Sequence, residues 1–95
     1  MATIPPPLVA AGITGVRDLD LRPVFDRGGE PFPTIMDAVD ALGELEALHL
    51  IVPFEPRPLY RVLGMRGFAS HTEERDGLFH VWFYRGFTTV TPPSI

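Results

Sequence analysis

The stretch Phe68-Ala69-Ser70-His71-Thr72-Glu73-Glu74-Arg75-Asp76-Gly77-Leu78-Phe79-His80-Val81-Trp82-Phe83-Tyr84 decides the fold. Asp-Gly between two β-rich segments is the strongest short signal for a two-residue hairpin, because such turns need positive φ at both central residues. With Asp76 and Gly77 at the turn, Arg75 faces Leu78, Glu73 faces His80 and His71 faces Trp82 across an antiparallel pair. Side chains alternate along a strand, so Phe79, Val81 and Phe83 turn toward a core. His71, Glu73, His80, Trp82 and Tyr84 turn the other way. A three-residue turn shifts this facing set and dissolves the constellation.

A lone hairpin is marginal in water, so its apolar face needs further elements, and the upstream sequence supplies them. Leu45 to Val52 is nearly continuous in apolar residues apart from Glu46 and His49, and Pro53 bounds it, as suits a central strand. Between it and the hairpin, Pro53-Phe54-Glu55-Pro56-Arg57-Pro58 is a rigid turn. Leu59, Tyr60, Val62 and Leu63 then predict a short helix ending near Gly64 or Gly67. Farther upstream, Ile35, Ala38, Val39 and Leu42 recur at helical spacing, Pro33 fits a first turn and Gly43 a stop. A helix over Pro33 to Leu42 follows. In Val16 to Leu21, Leu19 and Leu21 alternate with Asp18 and Asp20 as in a half-buried strand ended by Pro23, and Val24 to Phe32 reads as a loop.

The order is β-α-β-α-β-β. Right-handed crossovers place both helices on one face, giving an α+β, two-layer α/β sandwich with a four-stranded mixed sheet whose other face is open. The domain is expected over residues 16–85, between a Pro-rich N-terminal tail, 1–15, and a C-terminal tail, 86–95.

Composition narrows the function. The chain has 95 residues, 45% of them hydrophobic, and a formal net charge of -4, with its basic residues dispersed. That balance fits one packed domain and disfavours nucleic acid as a partner. The absence of cysteine excludes disulfides, thiolate nucleophiles and cysteine-ligated metals in this chain. Leu8 to Val16 lacks a basic leader and is broken by Gly12 and Gly15, and no apolar run approaches the roughly 20 residues that span a bilayer. A cytoplasmic protein without membrane partners is the expectation.

Leu19-Asp20-Leu21-Arg22, then Glu30-Pro31 leading into Ile35-Met36-Asp37-Ala38-Val39-Asp40-Ala41-Leu42, resembles the TusA (SirA-like) sulfur-carrier family. Phe54-Glu55-Pro56-Arg57-Pro58-Leu59-Tyr60 with Arg66-Gly67-Phe68 more closely resembles an uncharacterised domain family related to TusA, over about Asp18 to Arg85. The resemblance implies the two-layer fold. Sulfur carriers keep a reactive cysteine in Cys-Pro-x-Pro at the start of the first helix, where amides and the helix dipole favour the thiolate. Gly28-Gly29-Glu30-Pro31 stands there in this chain, so glycine, or glutamate in the other register, replaces the sulfur atom. A carrier role for this chain alone is ruled out.

Two candidate surfaces follow. Open α/β sheets bind ligands beyond the strand C-termini, where Arg22, Asp26, Arg27, Glu30, Glu55 and Arg57 should gather beside Gly28 and Gly29, and free helix amides with Arg57 or Arg22 could hold an anion or a partner's carboxylate. Alternatively, Glu30 and Glu55 serve the helix dipoles and pair with the arginines. On the open sheet face, Trp82 and Tyr84 are candidate anchors for a protein partner or a second copy of the chain. The same patch could be covered by a tail, or His71, Glu73 and His80 could hold a metal. His49, in an apolar strand, reads as a hydrogen-bonded core or edge residue. No nucleophilic set is present, and no cofactor is called for. The sequence favours a non-catalytic binding or adaptor module. The alternatives are a small metal- or anion-binding protein and a docking accessory in sulfur transfer.

Overall fold

A computed structural model describes residues 4–85. The hairpin forms as its sequence dictates: strands β3 (Ala69–Arg75) and β4 (Leu78–Tyr84) pair antiparallel in the register Arg75 to Leu78, Glu73 to His80 and His71 to Trp82. Asp76 and Gly77 both have positive φ, 53° and 80°, the conformation that a two-residue turn between twisted strands demands. Upstream, β1 (Gly15–Asp20) pairs parallel with β2 (Glu46–Val52).

The sheet has four strands in the order β1-β2-β4-β3. β4 therefore lies between β2 and β3, antiparallel to both. The chain leaves β2, crosses over to the far edge as β3, and returns through the hairpin to fill the gap. The physical gain is that β4, the most apolar half of the hairpin, takes a central place, whereas β3, with Glu73, Glu74 and Arg75, takes the edge. Charged residues suit an edge because they discourage pairing with another chain.

The predicted helices appear as α3 (Pro31–Asp40) and α4 (Arg57–Gly64), each with proline in its first turn. Pro31 lies two residues earlier than the expected start, and its missing amide costs nothing at a helix beginning. Ile35 and Val39 of α3 and Leu59 and Leu63 of α4 pack on Leu48, Leu50, Val52, Val81 and Phe83, all on one face of the sheet. The two-layer α+β sandwich is thus the architecture of the described residues.

Two short helices were not expected. α2 (Arg22–Asp26) occupies the start of the expected loop, with Pro23 in its first turn rather than merely ending the strand. Gly28, at φ 71°, turns the chain out of it. α1 (Pro6–Ala10) lies within the segment read as a tail and has Leu8 fully buried. Leu8, Ile13, Ala47 and Trp82 form a second, smaller core on the sheet face opposite α3 and α4. The N-terminal segment thus covers the aromatic patch, one of the covers that the sequence left open. Trp82 is only 4% exposed because the N-terminal segment lies over it, and Tyr84 packs against the same cluster. Apolar area buried in this way contributes roughly 25 cal/mol per Å2, which is why a short segment stays docked there. The alternative cover, residues 86–95, falls outside the described residues.

Candidate functional site

At the edge where β1 and β2 end and α2, α3 and α4 begin, the structure holds an apolar cleft of about 160 Å3. Leu21 and Val52 supply its floor, Phe25, Ile35, Leu59 and Val62 its walls, and Pro31, Phe32, Phe54, Pro56 and Pro58 complete the lining. The cleft exists because three helix starts rich in proline converge on one place. Proline presents ring carbons and no amide, so these starts give apolar walls where ordinary helix N-termini give donors. Phe32 and Phe54 remain 45% and 48% exposed, and Phe54 meets Phe25 edge to face at 5.2 Å.

The charged residues expected at this edge are present but do not converge. Arg22 reaches back to Asp20, with Nη2 2.6 Å from Oδ2 and Nε 2.9 Å from Oδ1. The hydrogen bonds from the Arg22 side chain and backbone lower the Asp20 carboxyl from its ordinary 3.8 to about 2. Arg57 Nε donates to Glu55 Oε1 at 3.3 Å, and Tyr60 Oη donates to Glu55 Oε2 at 3.1 Å. Thr72 Oγ1 lies 2.7 Å from the same Tyr60 oxygen. Burial is the first cause of the upward shift of the Tyr60 hydroxyl. Glu30 is the N-cap residue of α3, but its side chain makes no capping bond. Gly28 and Gly29 serve the backbone: a Cβ on Gly29 would meet Val24 Cγ1 and the Val24 carbonyl, each at 3.3 Å. Of the structural alternative that the sequence left open, the Arg57–Glu55 pair forms, whereas Arg22 pairs with Asp20 instead of Glu30 or Glu55.

On the opposite face, alternation and register set Asp18, His49, Trp82 and His71 in one row across the sheet, with Glu73 beside His80 in the next. His71, Glu73 and His80 do share this face, but they point to different partners. His71 Nε2 lies 2.9 Å from Glu73 Oε2, and Arg75 holds the other Glu73 oxygen. The bond to His71, followed by that to Arg75, lowers the Glu73 carboxyl. His80 instead turns its Nδ1 to His49 Nε2 at 2.9 Å, because β2 flanks β4 on that side. Among the described residues, no group of three or more histidine, aspartate or glutamate side chains is arranged to hold a metal ion.

His49 is hydrogen-bonded, as its place in an apolar strand implied, but its partners were not foreseen. Its Nδ1 lies 2.7 Å from Asp18 Oδ1, and its ring stacks on Trp82 with centroids 4.5 Å apart and planes 9° from parallel. A histidine interrupting an otherwise apolar strand, opposite an aspartate in a neighbouring strand, was the available signal. It becomes legible only once the strand order is known.

The geometry thus offers an apolar cleft on the helix side and a histidine-rich row on the sheet side. Comparison with curated proteins gave no match, and comparison with solved structures gave none either. A family described as an uncharacterized conserved protein, DUF2249, matches residues 18–85, which run from the start of the Asp18 row through all the cleft-lining segments to the end of β4. The chain belongs to the DUF2249 family.

Proposed function

We propose that the chain is a non-catalytic binding module of TusA-like fold whose helix-side cleft receives one apolar side chain of a protein partner. The observation that carries this reading is the cleft: about 160 Å3, lined throughout by apolar residues and rimmed by half-exposed Phe32 and Phe54. Engineered apolar cavities of about 150 Å3 stay dry and take up benzene, so this volume suits one aromatic ring or one branched aliphatic group. No polar group lines it, so recognition there rests on shape and apolar area. The lining offers no nucleophile and no proton donor.

The TusA-like relationship is part of the proposal. Its support is the β-α-β-α-β-β path and the Glu30-Pro31 entry into α3. Because the chain has no cysteine, any role beside sulfur carriers is docking rather than carriage. Cytoplasmic placement belongs to the same reading; no helix among the described residues is long and apolar enough to cross a membrane. The metal- or anion-binding alternative has less behind it, since Arg22 and Arg57 each already hold a carboxylate.

Titration of the labelled full chain with benzene, indole and a phenylalanine dipeptide amide tests the proposal by amide and methyl shifts. Shifts confined to Leu21, Ile35, Leu59 and Val62 are expected, with loss of binding in Val62→Trp, which fills the cleft. Absence of any shift at millimolar probe sinks the reading. A solution mass twice that of the chain, with Phe32→Ser restoring the single mass, would identify the partner as a second copy.

A further inference from the structure

Three side chains that the cleft does not use stand in line on the other face. Asp18, His49 and His80 come from the adjacent strands β1, β2 and β4, and successive separations of 2.7 and 2.9 Å join them. The line has one polarity. An ionised carboxylate only accepts, so His49 Nδ1 carries the hydrogen that faces Asp18. Neutral His49 must then accept at Nε2, and His80 must donate from Nδ1. That leaves a lone pair on His80 Nε2, which makes no hydrogen bond among the described residues. No buried side-chain nitrogen or oxygen lacks a partner there, so this atom is open to water.

We propose that Asp18, His49 and His80 form a directional proton relay, a site that takes a proton at His80 Nε2 and holds the resulting charge on His49. A weak acid HX at the surface gives its proton to His80 Nε2, forming an N–H bond there, and X− keeps the electron pair. The Nδ1–H bond of His80 breaks as that hydrogen crosses to His49 Nε2. His80 ends as its other neutral tautomer. His49 ends as an imidazolium between the Asp18 carboxylate and the face of the Trp82 indole, both of which attract a cation.

The surroundings favour this direction. Around His80 stand Asp18 and Asp20 from β1, Arg22 from the start of α2, His49 from β2, and His71, Glu73 and Arg75 from β3. α1, whose sequence is PPLVA, brings no charge to this face. Arg22 with Asp20 and Arg75 with Glu73 offset each other, leaving Asp18 as the counter-ion of the relay. Burial, then the His49 and Arg75 charges, disfavour a cation on His80 itself. A second proton sets N–H against N–H across the 2.9 Å link and breaks it.

The site is independent of the cleft, and the chain's single tryptophan reports on it, because a protonated imidazole stacked on indole quenches its fluorescence. Imidazole 15N spectra of the unmodified chain at pH 7.5 should show Nδ1–H tautomers at both His49 and His80. On acidification, Trp82 emission should fall with the first proton. Because the His71 ring also lies against Trp82, with centroids 5.6 Å apart, both forms carry His71→Gln, and Asp18→Asn should then lower that midpoint by about one pH unit or more. Nε2–H tautomers at both rings, or a midpoint indifferent to Asp18→Asn, overturn the relay. The tautomer measurement needs no substitution, so it decides the matter even where a variant fails to fold.

Discussion

On the helix side of β2, Leu48, Leu50 and Val52 are buried among apolar neighbours from α3, α4 and β4. On its other side, Ala47 lies under α1 but His49 and Ile51 run on into a polar surface bearing Asp18, His80 and Glu73. One alternation produced both faces. The difference lies in coverage: three helices enclose the first, leaving only the cleft at their starts, and a single short segment encloses part of the second. The cleft opens to the surface between half-exposed Phe32 and Phe54 but is apolar throughout, whereas the other face sets titratable side chains side by side, so the two differ in chemistry more than in access. Neither site uses a residue of the other.

The largest test of this contrast removes core from each side. Leu63→Ala, in the main core, should cost about 2–5 kcal/mol in urea unfolding, the range for a buried leucine whose surroundings collapse only partly. Leu8→Ala should fall at the low end of that range, because the segment above Trp82 can shift, and should red-shift Trp82 emission. Equal losses with unchanged emission would show the two faces to be one cooperative core.

The next effect is a pH dependence. His80 has its pKa lowered below its ordinary 6.5, by burial first. The folded state therefore binds fewer protons than the unfolded chain just below that value, so the contribution to stability is complete above about pH 6.5 and is lost as pH falls through the folded pKa. His80→Phe should flatten the slope of stability against pH below about pH 6.5. A slope that survives the substitution would assign it elsewhere.

A smaller change is expected at the rim of the cleft. Phe54→Ala should weaken benzene and indole binding several-fold yet shift urea stability by no more than about 1 kcal/mol, as its ring is half exposed. The smallest effect belongs to Asp20→Asn. The lowered Asp20 carboxyl stabilises the fold above its ordinary 3.8, and this is lost as pH falls toward about 2. The pair is exposed and screened by water, so the variant should differ from the parent only at low salt. A large loss at neutral pH would mean that Arg22 does more than hold its neighbour.

Much of this was legible residue by residue. Asp76-Gly77 set the hairpin register, and the spacing of Ile35, Val39, Leu59 and Leu63 set the buried stripes of α3 and α4. α1 and α2 were not legible, because each is five residues long, carries proline and has no side-chain cap, so its order comes from the surface that it covers. The cleft escaped notice for a related reason: its lining comes from separate segments whose approach no local pattern encodes.

By itself, then, the sequence determined the four strands and the two longer helices, which of their faces are apolar, and that this chain has no cysteine to carry sulfur. Local backbone preference and side-chain alternation are properties of neighbours along the chain. Only the tertiary structure decided that β4 slips between β2 and β3, that Trp82 is roofed by Leu8, and that His49 meets His80. Those contacts join residues about thirty positions or more apart, and their formation depends on how much apolar area each arrangement removes from water.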